Sequence, residues 1–377
     1  MNRPLRDVPP RVDLLLPALA AALDGRGPAI QPTGSPDPTD RQVAEQVAVV
    51  VRTSGSTGDP RGVLLSAAAL RASADATHAR LAGPGTWLLA LPAQHVAGVQ
   101  VLVRSVLAGT VPSVVAPGPF RAPAFVTATD AMTGTRPRYT SLVPTQLVRL
   151  LQDAAGTAAL RTFDAVLLGG AASPAELLAR AREAGVAVVT TYGMSETCGG
   201  CVYDGSPLDA VTVTLDADGR VLIAGPTLAE GYLGRPDLDA EAFVHVDGLR
   251  RLRTTDLGRW DDGRLTVLGR VDDVLVTGGT KVSPQAVEHA LAHLGEVVVV
   301  GLPDPEWGQS VVAVLVPLPG TTPTLAQVRA AVTDRLGPSH APRHLVVADS
   351  LPVRGPGKID RRAATLLASD SIGRTVR

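Results

Sequence analysis

The sequence predicts an α/β protein: a large N-terminal domain of mostly parallel α/β sheet plus a β subdomain, then a small α+β C-terminal domain. Three observations predict it. Short apolar runs alternate with helical stretches between residues 47 and 184, and strand–helix–strand alternation implies a parallel sheet covered on both faces. From Val211 the texture changes to short strands broken by Asp216-Ala217-Asp218-Gly219 and Asp261-Asp262-Gly263, turn clusters that join antiparallel neighbours. The 377 residues also exceed one core of roughly 100–200 residues.

Each element follows in order. The start carries Arg3, Arg6 and Arg11, followed by an apolar run from Leu14 that stops at Asp24-Gly25-Arg26. That run is shorter than the roughly 20 residues a spanning helix needs, and no small-residue cleavage site follows it. A cytoplasmic protein is expected. Residues 27–40, with Pro28, Pro32, Pro36 and Pro38, read as a surface loop, and the first clear strand is 47–52. Segments 87–91, 111–116, 139–143, 165–168 and 186–190 read as buried strands; 66–82, 98–108, 144–151 and 174–184 read as helices. The last unit begins with a strand at Val274, then a helix over 284–294, strands over 297–301 and 310–317, a helix over 325–336 and a strand over 345–348.

An apolar fraction of 45% and a formal charge of −1 give neither a basic face for nucleic acid nor an acidic tail. Small molecules are the expected partners, with no nucleic acid and no transmembrane segment; self-association stays open. Of 35 basic residues only two are lysine, Lys281 and Lys358. Arginine's planar fork cannot replace a compact ammonium on a flexible stem, so a retained lysine is a candidate for a specific task. Lys358 stands in Pro352-Val353-Arg354-Gly355-Pro356-Gly357-Lys358-Ile359-Asp360-Arg361, a turn suited to projecting one long side chain. Cys198 and Cys201 have the spacing of a redox pair or half a zinc site. With no further cysteine and no histidine within forty residues, a structural role is expected.

Four clusters carry chemistry. After the first clear strand comes Thr53-Ser54-Gly55-Ser56-Thr57-Gly58-Asp59-Pro60-Arg61-Gly62-Val63, in which backbone N–H groups can wrap a phosphate chain, hydroxyls add donors and Arg61 adds charge. It lacks the Gly-Lys-Ser/Thr end of a Walker A loop. Thr190-Thr191-Tyr192-Gly193-Met194-Ser195-Glu196-Thr197 offers a tyrosine face to an aromatic base and a carboxylate to Mg²⁺. Leu252-Arg253-Thr254-Thr255-Asp256-Leu257-Gly258 places at a strand end a carboxylate that can accept ribose hydroxyls. Gly269-Arg270-Val271-Asp272-Asp273-Val274 is followed by Thr277-Gly278-Gly279-Thr280-Lys281-Val282-Ser283-Pro284 and Glu288.

In order and spacing these segments resemble the core motifs of the adenylate-forming superfamily of acyl-CoA synthetases, peptide-synthetase adenylation domains and luciferases, from about residue 47 to about residue 362. The resemblance implies a domain over residues 1–271 for ATP and the acid, and a mobile domain over 272–377 carrying the catalytic lysine, Lys358. It implies that Thr53, Ser54, Gly55, Ser56, Thr57, Gly58 and Gly62, with Arg61, hold the ATP β- and γ-phosphates. Tyr192 and Gly193 would lie at adenine, Ser195 at the α-phosphate, Glu196 on Mg²⁺ and Asp256 on ribose. Arg270 would support ribose or phosphate, and Asp272 would be the hinge. Gly278 and Gly279 would come to the CoA side. Separately from the resemblance, the place of Lys281 two residues beyond them leads us to expect that it is carried towards CoA with that loop.

Two residues depart from the superfamily pattern: Arg61 stands where lysine is usual, and Thr255 where glycine is usual. A changed ATP affinity is expected, because arginine also serves phosphate. Only 52 residues precede Thr53, so a trimmed N-terminal subdomain is expected. Segments 89–100, 141–147 and 167–172 most resemble the o-succinylbenzoate–CoA ligases of menaquinone biosynthesis. That resemblance implies an aromatic keto acid whose second carboxylate needs donors beside an apolar wall, for which His95, Gln100, Ser141, Gly169 and Gly170 are candidates. Ligation of another acid, or charging of a carrier protein, is the alternative. A carboxylate attacking a phosphate brings two anions together, so cations and donors must face the developing charge. The thiol then needs another approach, which domain rotation would provide.

Overall fold

The structure is a computed structural model that describes residues 2–35, 41–54, 60–318, 320–354 and 358–375, with Ser54, Pro60, Arg354, Lys358, Arg374 and Thr375 described by backbone alone. Two sheets and an antiparallel subdomain make up the larger part. The central sheet has seven strands in the order Ser206–Pro207, Gly199–Tyr203, Val188–Met194, Ala165–Leu168, Arg138–Leu142, Thr86–Leu89 and Ser113–Val114. The last five named are parallel, and the first two are added antiparallel. Successive residues on these strands enter different cores. Trp87, Leu89 and Leu167 face one cluster with helix Val96–Ala108, whereas Leu88, Val166 and Leu168 face another with Phe125, Leu147 and Phe163. Burial on both faces explains why these strands read as continuous apolar runs.

A six-stranded sheet shares the first of these cores with helix Val96–Ala108, in the order Gly231–Tyr232, Pro60–Ser66, Val47–Ser54, Ala29–Pro32, Asn2–Val8 and Arg41–Ala44. Three strands therefore precede the one expected first. Ala29–Pro32 is a buried strand, parallel to both neighbours, rather than surface loop. Its prolines suggested a loop, but Pro32 closes the strand, where the missing N–H does little harm. The phosphate-loop candidate also differs from expectation, because it joins two antiparallel strands, Val47–Ser54 and Pro60–Ser66, rather than a strand and a helix. Helix Ala67–Arg80 begins only afterwards, capped by the Ser66 hydroxyl on the Ala69 N–H at 3.3 Å. Helices Ala122–Asp130, Ala154–Leu160 and Arg361–Thr375 had not been expected.

The antiparallel subdomain appears where expected, with strands Thr212–Leu215, Arg220–Ala224, Leu249–Asp261, Phe243–Val246 and Arg264–Arg270. The 3-10 turn Val271–Asp273 then leads into a unit with its own sheet. There Val297 and Val299 enter a core with Val287 and Val332, while Val298 and Val300 enter another with Ala364 and Ala368. Helices Pro284–Leu291 and Leu325–Leu336 thus cover one face, and Arg361–Thr375 the other. At the junction Ser283, the cap of helix Pro284–Leu291, donates to the Leu268 carbonyl at 2.9 Å. Gly269 permits this approach: its φ is +139°, and a Cβ there would stand 2.9 Å from the Ser283 hydroxyl. No helix among the described residues is long and apolar enough to cross a membrane.

Candidate active site

The candidates His95, Ser141, Gly169, Gly170, Tyr192 and Gly193 lie at the carboxyl ends of the central parallel strands, where open α/β sheets present their loops to ligands. Strand Thr86–Leu89 leads to half-buried His95, at the start of helix Val96–Ala108. Ser141 is buried on Arg138–Leu142, opposite Leu167 in register. Gly169 follows Ala165–Leu168 and donates its N–H to the Leu142 carbonyl at 3.1 Å, and Gly170 adopts φ +80°. Val188–Met194 carries Tyr192 and Gly193 into the turn Ser195–Thr197. Gln100, one turn into the same helix as His95, is 1% exposed, and both its amide atoms lack a hydrogen-bond partner among the described residues. Its neighbour is Gly199, whose Cβ would meet the Gln100 Cγ at 3.4 Å.

Two hydrogen bonds tie distant segments into this edge. The Tyr192 hydroxyl donates to Asp256 Oδ2 at 2.8 Å, joining the central sheet to the antiparallel subdomain. Asp256 pairs in register with Arg270 on the next strand. Burial pushes the Asp256 carboxyl up, against the downward pull of the Tyr192 bond and the Arg270 charge. Burial also pushes the Tyr192 hydroxyl up, with the Asp256 charge adding to it, so it stays a donor. Arg270 gives one nitrogen to Asp272 at 3.3 Å, while its buried Nε has no partner among the described residues.

The second bond is unannounced in the sequence. The Tyr232 hydroxyl donates to Glu196 Oε1 at 2.8 Å, and the Arg61 guanidinium carbon lies 5.9 Å from the centre of the Tyr232 ring. Tyr232 reaches them on the two-residue strand Gly231–Tyr232, which pairs with Pro60–Ser66, while the Leu233 N–H donates to the Gly62 carbonyl at 2.8 Å. Burial raises the Tyr232 hydroxyl, reinforced by Glu196 and opposed by Arg61. The base of the phosphate-loop hairpin and the Glu196 carboxylate are thereby assembled around one phenol. Gly55, Ser56, Thr57 and Gly58 lie outside the described residues, as do the side chains of Ser54 and Lys358. Half-buried Thr53 is placed on Val47–Ser54, opposite Arg61.

The donor set fits Mg²⁺. Among the described residues no group of three or more His, Cys, Asp or Glu side chains converges. A cation at Glu196 would rest on one protein carboxylate plus phosphate oxygens and water, the usual arrangement for this ion. Cys198 and Cys201 are buried, free thiols, and burial pushes them up, Cys201 to about 12. Neither is a ready thiolate. The remaining residues lie apart: Gly278 and Gly279 form the turn between strands Leu275–Thr277 and Thr280–Val282, with exposed Lys281 on the second. Asp272 is exposed in the turn Val271–Asp273.

This fold and site define an adenylate-forming enzyme: residues 6–233 match the AMP-binding enzyme family and residues 286–358 the AMP-binding enzyme C-terminal domain, and the chain belongs to that family. Its relatives narrow the class. The chain is 47% identical, over 93% of its length and 94% of the relative's, to a Mycobacterium tuberculosis protein described as "Probable 2-succinylbenzoate--CoA ligase". It is similar to the o-succinylbenzoate CoA synthetase (MenE) of Bacillus subtilis in complex with the acyl-adenylate intermediate OSB-AMP, with a TM-score of 0.72, 29% identity and coverage of 84% of this chain and 69% of that one. The same synthetase in complex with ATP and magnesium ion superposes with a TM-score of 0.71 at 28% identity, covering 84% of this chain and 69% of that one.

Proposed function

We propose that this chain is an ATP-dependent acid–CoA ligase that converts o-succinylbenzoate, ATP and CoA to o-succinylbenzoyl-CoA, AMP and diphosphate, as a cytoplasmic enzyme of menaquinone biosynthesis. The observation that carries the reading is the joining of separate segments at one strand edge, Tyr192 to Asp256 and Tyr232 to Glu196. The acid is inferred from the relatives. In this reading Asp256, with Oδ2 engaged by Tyr192, turns its other oxygen to the ribose hydroxyls, and the Tyr192 ring lies along the adenine. Ser195 faces the α-phosphate, Arg270 supports the ribose, and Arg61 with the hairpin it closes receives the β- and γ-phosphates. Glu196 would hold Mg²⁺, which neutralises phosphate charge when bound.

Two displacements follow. A substrate carboxylate oxygen attacks the α-phosphorus and diphosphate leaves, with Lys358 placed to offset the negative charge that gathers there. The CoA thiol then loses its proton and attacks the acyl carbon, and AMP departs. His95, Gln100 and Ser141 supply polar groups for the second carboxylate, in walls built from Gly169 and Gly170. Domain rotation about Asp272 exchanges Lys358 for the Gly278–Gly279 turn between the two steps, and Lys281 moves with that turn towards CoA. The test is diphosphate release across a panel of acids with and without CoA. o-Succinylbenzoate should give the highest kcat/KM, with thioester formed only when CoA is present. Preference for a fatty acid or benzoate would overturn the substrate and leave the adenylation chemistry standing.

A further inference from the structure

The strand Lys358–Ile359 is followed at once by Asp360 and by helix Arg361–Thr375. Its hairpin closes on Pro352, whose carbonyl accepts the Asp360 N–H at 2.8 Å, and Val353 and Arg354 pair with Ile359 and Lys358. Arg361, three residues beyond the lysine, turns back into the body of the unit. Its Nη1 donates to Glu288 Oε1 at 2.6 Å and to the Val299 carbonyl at 2.8 Å, and its Nη2 donates to Glu288 Oε2 at 2.9 Å. Its Nε lies 3.4 Å from Asp273 Oδ2. Glu288 belongs to helix Pro284–Leu291 and also accepts the Val299 N–H at 2.8 Å. Asp273 belongs to the turn Val271–Asp273, directly after the pivot residue.

One planar guanidinium therefore holds the helix, the strand Gly295–Asp304 and the pivot turn together, at the root of the lysine hairpin. A bidentate fork on a carboxylate is fixed in direction as well as distance, unlike a point charge. Resting on the reading that Lys358 serves adenylation and Asp272 is the pivot, we propose that Arg361 is a positioning residue. It makes the pivot turn and the lysine hairpin one rigid body, so rotation at Asp272 delivers the Lys358 ammonium to a single place. Without the tie, the hairpin follows the rotation loosely and the ammonium samples a range of positions, when an error of about 1 Å lowers a rate by roughly a hundredfold.

The tie acts on the step that uses the lysine and spares the step that does not. The experiment compares wild type, Arg361→Lys, Asp273→Asn and Lys358→Ala in three readings: adenylation by diphosphate exchange, thioester formation from presynthesised acyl-adenylate, and thermal midpoint. Asp273→Asn guards against simple unfolding, because it removes the link to the pivot and leaves the Glu288 fork. Arg361→Lys should lower kcat for adenylation roughly ten- to a hundredfold, and Asp273→Asn about threefold or more, with KM for ATP and thioester formation within about threefold of wild type. Equal losses in both half-reactions, tracking the thermal midpoint, would mean a structural brace and overturn the proposal. So would unchanged adenylation in both variants beside a disabled Lys358→Ala. Intact adenylation in Lys358→Ala would overturn the lysine assignment, and the proposal with it.

Discussion

At the scale of single residues, position and chemistry make separable demands. Lys358→Ala should lower adenylation roughly 10²–10³-fold while sparing thioester formation from presynthesised acyl-adenylate, since one preorganised cation is lost from one step only. Lys358→Arg should do little better, because the fork cannot put its charge where a compact ammonium goes; equal damage to both half-reactions would remove the assigned role. Gln100 makes a different demand, because a buried amide with neither atom bonded among the described residues is unfavourable unless a ligand or water completes it. If that ligand is the ring carboxylate, Gln100→Leu should raise KM for o-succinylbenzoate roughly ten- to a hundredfold, the worth of a hydrogen bond to a charged group. KM for ATP, and activity on 4-oxo-4-phenylbutanoate, which lacks the ring carboxylate, should not change. A loss shared by both acids would place the amide outside the substrate site. Tyr232 shows what residue reading missed: it lies outside every recognised motif, and only its pairing with a strand far away in sequence brings it to Glu196.

Elements were legible where their signal is local. The helix expected over 325–336 is found as Leu325–Leu336, with the Thr324 hydroxyl and the Gln327 side chain closing a reciprocal cap. The strand Ala165–Leu168 has the bounds its apolar run implied. Elements whose signal is tertiary were misread. Pro60–Ser66 contains Pro60 and Gly62, which argue against a strand, yet it is held between Val47–Ser54 and Gly231–Tyr232. At the junction, the proposed pivot lies in the turn Val271–Asp273: Asp272→Pro should restrict φ and slow CoA transfer while acyl-adenylate still forms. Rapid-quench measurement of the two steps checks it, and undiminished thioester production would put the pivot elsewhere.

At the scale of the whole molecule, the large unit should lose stability in mild acid. His78 is buried against Trp87, and burial, helped by the Arg104 charge and opposed by Asp75, lowers it from 6.5 to about 4. Its folded value lies below its unfolded one, so the unfolded chain takes up the proton first. This stability is present above about 6.5 and is lost as pH falls towards about 4. Urea midpoints at pH 7 and pH 5 should differ less in His78→Leu than in wild type, and an unchanged difference would refute the assignment. The sequence by itself determined the class of the molecule, the change from parallel to antiparallel texture near Val211, and the residue types of the nucleotide site. These reside in short-range patterns, because apolar periodicity, turn residues and motif spacing act within a few residues of one another. Only the tertiary structure decided that Tyr232 completes the Glu196 cluster, that Tyr192 engages one oxygen of Asp256, and that Arg361 reaches the turn Val271–Asp273. Those contacts join segments 36, 64 and 88 residues apart, and which partner a buried hydroxyl or guanidinium finds depends on how sheets and helices pack, which no local pattern encodes.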